Sequence, residues 1–291
     1  MKKYNFYDMN ADQDLSFHIG PAAYLNSDFP VHRHDFAELV IITKGSGVHQ
    51  IEEKTYPIKA GDVYVIKGDT PHGFRNVKDL VLYNIMYLPN DIFLQFSELK
   101  KMPGFQALFI LEPFYRQEHE FQSKLVLTET ELAYVVDMIL TIIPEYQERK
   151  PGSKSLLKAY LTILFVYLAR KYKVKDNDLS RKIMKIAESI IYIENNFTQE
   201  INIKEIAEKA NLSRRHFTRV FKQNYKLSPY EYIINLRLKQ ACDLLKNSKW
   251  TITRISEESG FKDPNYFSRQ FKNKKGISPT EYRQSNKLSI H

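Results

Sequence analysis

Three histidines and a glutamate in the N-terminal part of the chain have types and spacing that could do chemistry: His32-x-His34-x3-Glu38, followed later by His72. Three imidazoles and one carboxylate form a ligand set for a divalent metal such as Zn, Mn, Fe or Ni. With open coordination positions, such a centre would suit a dioxygenase or an isomerase. The same four groups could instead be hydrogen-bond partners for a small polar molecule, or satisfy one another in a polar interior. A second set lies near the C terminus: Arg214, Arg215, Thr218 and Arg219, then Asn265, Ser268, Arg269 and Lys272. Cationic and small polar side chains at three- and four-residue steps share one helix face, which is what reading a DNA duplex requires.

Short β-rich runs surround the histidines. Glu38–Thr43, Gly47–Ile51, Gly61–Ile66 and Leu80–Tyr87 are separated by Lys-Gly-Ser-Gly and Lys-Gly-Asp-Thr-Pro turns, the rhythm of a barrel or sandwich. Tyr56, Tyr64, Phe74 and Tyr83 could wall a ligand pocket there or belong to the core. Between Glu129 and Lys173 the pattern changes to two amphipathic helices. The first carries Leu132, Val135, Val136, Ile139, Ile142 and Ile143 before Pro144, and the second Leu156, Leu157, Tyr160, Leu161, Leu164 and Leu168. One face should pack on the barrel, and the wide apolar surface of the second helix could pair with another subunit. Polar Lys173–Ser180 reads as a linker.

The C-terminal set lies in an internal repeat. Ile203, Ile206, Phe217, Phe221 and Ser228-Pro229 recur as Ile252, Ile255, Phe267, Phe271 and Ser278-Pro279. Each copy has a short helix, a turn at Asn211-Leu212 or Gly260-Phe261, and a second helix opened by Ser213 or by Asp263-Pro264. That is a helix-turn-helix, twice. The phenylalanines, four apart, anchor each second helix and leave the arginines outside, with Lys262, Lys272, Lys274 and Lys275 near enough for phosphates. Ser-Pro-x-Glu, a capping box, then starts a new helix in each copy. The helix from Pro229 to Lys246 would hold the copies apart at a spacing that suits successive major grooves, roughly 34 Å.

Charge follows the same division. Residues 181–291 hold 22 Lys and Arg against 11 Asp and Glu, a net of +11, and the preceding 180 carry −2. A basic C-terminal module facing a polyanion follows, beside an N-terminal module with another task. With 291 residues, 43% hydrophobic and 26% charged, the chain has the makeup of a folded protein of two domains. Its one cysteine, Cys242, excludes a disulfide framework and a four-thiolate zinc site and fits a reducing compartment. Leu161–Ala169, the longest greasy run, is far short of the roughly 20 residues that span a bilayer, and no apolar stretch follows the N-terminal lysines. Neither export nor a membrane span is expected.

The repeat strongly resembles the DNA-binding domain of the AraC/XylS family of bacterial transcription regulators, over about Arg181 to Arg283. GFKDPNYFSRQFKNKKGISPTEYR, the second copy, is its most family-specific stretch. Carried over, the family's base-facing places fall on Arg215, Thr218 and Arg219, and on Pro264, Asn265, Ser268 and Arg269. Pro264 has no donor to read with. The histidine motif, with Gly45, Gly61, His72 and Asn76, resembles a cupin, although Lys67 and Asp69 replace the expected proline and glycine. HRHDFAELVIITKGSG and LVLYNIMYLP look most like the N-terminal domains of rhamnose-responsive members of the family.

The resemblance implies an α+β chain. A cupin-like effector-sensing barrel would occupy residues 1–125, a helical dimerisation segment and linker 126–180, and an all-α double helix-turn-helix domain 181–291. It also implies a cytoplasmic activator, not an enzyme. Its partners would be promoter DNA, RNA polymerase, a second copy of itself and a small-molecule effector, a sugar, held by His32, His34, Glu38, His72 and Tyr83, with no cofactor. The alternative is a metal-dependent cupin enzyme fused to a DNA-binding domain, with His32, His34, Glu38 and His72 as ligands.

Overall fold

Alternating apolar and polar side chains build one eight-stranded sheet in the computed structural model, which describes residues 1–9, 15–89, 97–118, 124–172 and 178–287. The strands are β1 (Lys2–Tyr4), β2 (Phe17–Tyr24), β3 (Phe29–His34), β4 (Ala37–Ile51), β5 (Lys54–Lys59), β6 (Asp62–Ile66), β7 (His72–Tyr87) and β8 (Leu125–Val126). Their order is β1-β3-β7-β4-β6-β8, with β2 also on β7 and β5 also on β4. Two long strands therefore organise the sheet. β4 and β7 pair along most of their length, with register shifts between Ile42 and Val48 where both bend.

Gly45 makes that bend possible. Its φ is +79°, and a Cβ there would lie 2.1 Å from the Asp79 carbonyl oxygen. The two runs read from the sequence as Glu38–Thr43 and Gly47–Ile51 are thus one strand, and Leu80–Tyr87 is the second half of β7. β2 and β5 were not legible as strands because each contains a proline, Pro21 and Pro57. Both are bonded on one side only, to β7 and β4, where a missing N–H is tolerated.

Val40, Ile42, Ile58, Tyr64, Ile66, Phe74, Val77, Leu80 and Leu82 fill one face of the sheet as a continuous core. The opposite face is buried as well: Leu39, Ile41, Ile85 and Tyr87 are fully covered. Phe165 of helix α2 (Ser153–Lys171) meets Tyr87 at 6.1 Å and Phe109 at 5.0 Å on that side. Helix α1 (Glu129–Glu148) opens with a capping box between Thr128 and Glu131. It runs through Pro144 instead of stopping before it, and ends at Arg149 in a left-handed cap.

Contacts divide the chain into Met1–Ala187 and Glu188–His291. The division falls within helix α3 (Asp178–Asn196), so the boundary lies a few residues beyond the expected one at Ser180. Of the expected linker, residues 173–177 lie outside the described residues and Asp178–Ser180 open α3.

The second unit repeats a helix pair: α4 (Ile203–Lys209) with α5 (Arg214–Tyr225), and α7 (Ile252–Glu258) with α8 (Pro264–Lys275). α6 (Pro229–Asn247) connects them and α9 (Pro279–Lys287) follows. The expected caps are in place. Ser213 accepts from the His216 amide and Asp263 from the Asn265 amide, while Ser228 with Glu231 and Ser278 with Glu281 form reciprocal pairs. Each pair turns at a positive-φ residue, Asn211 at 57° or Gly260 at 87°. Phe217 and Phe221 anchor α5 and Phe267 and Phe271 anchor α8, all buried.

The copies are also tied by the loop before α4. Arg237 of α6 donates to the Phe197 and Gln199 carbonyls at 2.6 and 2.8 Å. Thr198 packs so closely on Gly260 that a Cβ there would lie 2.6 Å from its Cα. Among the described residues, no helix is long and apolar enough to cross a membrane.

Candidate effector cavity and nucleic-acid interface

Strand pairing brings the three motif histidines together. His32 on β3 is opposite His72 on β7, and His34 is two residues along the same face. One nitrogen from each lies within 4.8 Å of the others. The other nitrogen is fixed by backbone: Nδ1 donates to the Pro30, Phe36 and Thr70 carbonyls, for His32, His34 and His72, at 3.1, 2.7 and 2.9 Å. A carbonyl can only accept, so each Nδ1 carries a hydrogen and each Nε2 is turned toward the others.

Glu38 completes the cluster from β4. Its Oε2 is 3.7 Å from His34 Nε2 and 3.4 Å from His72 Nε2, and its Oε1 accepts from the Asn84 amide at 2.8 Å. Burial alone would raise this carboxyl, but His34 and His72 outweigh burial and hold it below the usual carboxylate range. Burial, reinforced by His72, lowers His32 to about 4, so this ring is neutral near pH 7.

The cluster forms one wall of a cavity of about 290 Å³. Tyr4, His18, Tyr24, Phe29, Phe74, Asn84 and Met86 line the rest, with Gly20, Pro21, Ala22 and Phe36. Tyr24 packs at a tilt against Phe29 and Phe74 at 5.1 and 5.6 Å, and burial with the Glu38 charge pushes its phenol up to about 12, keeping it a donor. His18 Nδ1 meets the Tyr146 hydroxyl at 3.0 Å. Chemically, the wall offers the neutral His32 ring and a carboxylate as acceptors, the His34 and His72 rings beside that carboxylate, a phenol as donor, and flat apolar faces. The imidazoles also fit a divalent metal, because ligating histidines commonly give their second nitrogen to a backbone carbonyl.

Of the residues expected at the effector, His32, His34, Glu38 and His72 converge and Tyr83 does not. Tyr83 pairs with Ile41 and Pro21 on the sheet face opposite to Asn84 and Met86, outside the cavity lining. Successive side chains alternate faces, so Tyr83, next to Asn84, cannot share its face. Of the aromatic candidates, Phe74 lines the cavity, whereas Tyr64 sits in the core stacked on His49 at 4.9 Å and Tyr56 is buried outside the lining. Asn76 is exposed at φ 49°.

On the reading helices, Arg214, Arg215 and Arg219 of α5 and Asn265, Arg269 and Lys272 of α8 are exposed. Thr218 and Ser268 are half-buried, and the Ser268 hydroxyl donates to the Pro264 carbonyl at 2.9 Å, leaving its oxygen free to accept. Lys262 is paired with Glu200 at 2.7 Å.

Two family profiles match the chain: an AraC-like ligand binding domain over residues 20–165 and a helix-turn-helix domain over residues 206–285. The chain belongs to the AraC family. It is similar to the HTH-type transcriptional activator RhaS of Escherichia coli O1:K1, with 29% identity over 89% of this chain and 88% of that protein. It is likewise similar to the HTH-type transcriptional activator RhaR of Mannheimia succiniciproducens, with 27% identity over 88% and 87%. Among solved structures, the DNA-binding domain of AdpA in complex with a target DNA aligns with 36% of this chain and 96% of its own, at 25% identity and a TM-score of 0.35.

The chain is therefore an AraC-family transcription regulator with a ligand-binding sheet domain and a DNA-binding helix-turn-helix domain. Sequence reasoning missed several cavity residues of this AraC-like domain. Asn84 and Met86 lie beyond the register shifts of β7, and His18, Gly20 and Tyr24 lie on the unread strand β2.

Proposed function

We propose that this AraC-family chain is a cytoplasmic transcription activator that engages promoter DNA with α5 and α8 in successive major grooves and answers to a sugar held in the barrel cavity. One observation carries the reading: a cavity walled by acceptors and aromatic faces is joined, in one chain, to two capped helices that present arginines to solvent. A polyol donates its hydroxyl hydrogens to such a wall, while Tyr24, Phe29 and Phe74 offer flat faces to its C–H side. The names of RhaS and RhaR support activation, and RNA polymerase is part of this reading as the partner an activator recruits. In this reading the histidines bind and do no chemistry.

A homodimer belongs to the same reading. Tyr134 and Leu140 of α1, with Leu156 and Ile163 of α2, are 41% to 51% exposed, an apolar surface that a second copy would cover. Effector and the DNA-competent arrangement must then stabilise one another reciprocally.

Two measurements test the proposal. The full chain should shift specific duplex DNA, with affinity falling steeply as salt rises, and loss of salt-sensitive binding would remove the regulator. A thermal-shift screen over L-rhamnose, other sugars and sugar acids should raise the midpoint for one class, and no response to any of them would remove the sugar.

A second reading has its own support. Three imidazoles with every Nδ1 committed to a carbonyl, beside a carboxylate, form a set a divalent cation would fill. Stoichiometric metal in the isolated protein, lost in His34→Ala, would establish it. Turnover of a sugar would then return the enzyme class.

A further inference from the structure

An arginine reads guanine well only when its guanidinium plane is already aimed, because a free side chain surrenders about 2 kcal/mol of rotamer freedom on binding. Each reading helix sets a ring beside its arginine, by a cation–π contact in one and a hydrogen bond in the other. In α8 the Arg269 guanidinium lies over the Tyr266 ring, 5.5 Å from its centroid, three residues back along the helix. In α5 the Arg219 Nη2 meets His216 Nε2 at 3.4 Å, also three residues back. Positions 216 and 266 correspond in the repeat, as do 219 and 269, so each copy places a ring one turn before its outermost arginine.

The second ring is held from outside its own helix. The Tyr266 hydroxyl meets the Tyr230 hydroxyl of α6 at 3.1 Å, and this bond raises the Tyr266 phenol above its ordinary value. Tyr266 is thereby fixed at its hydroxyl end by Tyr230 and at its other end by α8, and Arg269 rests on a surface that cannot swing freely. His216 has an anchored backbone, since its amide donates to Ser213 Oγ at 3.2 Å.

We propose that His216 and Tyr266, the latter locked by Tyr230, are specificity-determining positioning residues that direct Arg219 and Arg269 onto the bases of their half-sites. The inference rests on the reading of Arg219 and Arg269 as base contacts. Base preference in each half-site is then set by an arginine and its supporting ring together, and a change of ring alters which base is read without altering how strongly phosphate is held.

Selection of bound sequences from a randomised duplex pool, with the full chain, tests this. Tyr266→Leu should flatten base preference at one position of the second half-site by about two- to fivefold, the scale of an exposed cation–π contact. Tyr230→Phe, which keeps the ring and removes the lock, should give a smaller flattening at the same position. His216→Ala should flatten one position of the first half-site and leave the second unchanged. The slope of affinity against salt, which counts phosphate contacts, should not move in any of the three.

Arg269→Ala is the control that separates the failures. If it flattens the same position and Tyr266→Leu does not, the support by Tyr266 is wrong and base reading by Arg269 stands. If Arg269→Ala leaves the preference intact, base reading by Arg269 fails and its support falls with it. Flattening spread over every position of both half-sites, or a changed salt slope, would show a general loss of structure and overturn the positioning role.

Discussion

The His18 imidazole meets the Tyr146 hydroxyl at 3.0 Å, joining a strand that lines the cavity to the last turns of helix α1. Tyr146 is buried, packs edge-on against the His18 ring at 5.5 Å and touches Phe17 at 5.7 Å. Arg149, the left-handed cap of α1, covers its outer face at 5.1 Å. Strand β2 and the end of the α1 helix thus share one polar contact inside an aromatic cluster.

Tyr146→Phe keeps the rings in place and removes that contact. It should lower the stability of the N-terminal unit by about 1 kcal/mol, seen as a lower urea midpoint at unchanged slope. An unchanged midpoint would mean that the hydroxyl gains nothing from His18 that water does not supply.

Acid should begin to weaken the effector-free, chelator-treated protein at pH values above the carboxylate range. Burial lowers both His18 and His32, the latter to about 4, so below the unfolded value of 6.5 the unfolded chain takes up protons that the folded chain refuses. Stability is full above pH 6.5 and falls between 6.5 and about 4, by about 1–2 kcal/mol once the access of water to these rings is discounted. Glu38 acts lower, its contribution being lost only as pH falls through its depressed value. The loss between pH 6.5 and 4 should be smaller in His32→Asn. A flat profile in the native chain would mean that these rings are charged in the folded state.

Tyr83 lies outside the cavity lining, so Tyr83→Phe should leave any sugar-induced rise in thermal midpoint unchanged, while Glu38→Gln should reduce it. A Tyr83 effect equal to that of Glu38 would place the ligand elsewhere.

Gly45→Ala should cost about 3 kcal/mol or more, combining left-handed strain with the overlap on Asp79. Native-like stability in this variant would show that β4 and β7 can shift register at their bend.

Lys272→Ala should weaken selected and random duplexes alike and reduce the salt slope by about one, as a phosphate contact does. Arg219→Ala and Arg269→Ala should cost about 1–3 kcal/mol on the selected duplex and less on random DNA. Equal losses on both would make these arginines phosphate contacts too.

The helical half was legible because its signals are local. Ser213, Asp263 and the Ser228 and Ser278 boxes are decided by residues two or three positions away, and the repeat shows each signal twice. The cavity histidines were legible by motif, but the register shifts between Arg75 and Leu82 hid which later residues of β7 share their face. His18 and Tyr24 were not legible, because a strand containing Gly20-Pro21 is tolerated only where its neighbour lies on one side, which is a property of the assembled sheet. Pro144 misled for a similar reason: it is exposed, and α1 continues around it for another turn.

The grip of residues 197–199 on the second helix pair also limits how this chain can be re-engineered. With Arg237 bonded to two carbonyls of that segment and Gly260 pressed on Thr198, the second pair is not a cassette to be lifted out and exchanged. A graft from a foreign regulator would import a turn shaped for another loop. Retargeting one half-site therefore calls for rewriting the outward side chains of α8 in place, with the turn and its clasp left untouched.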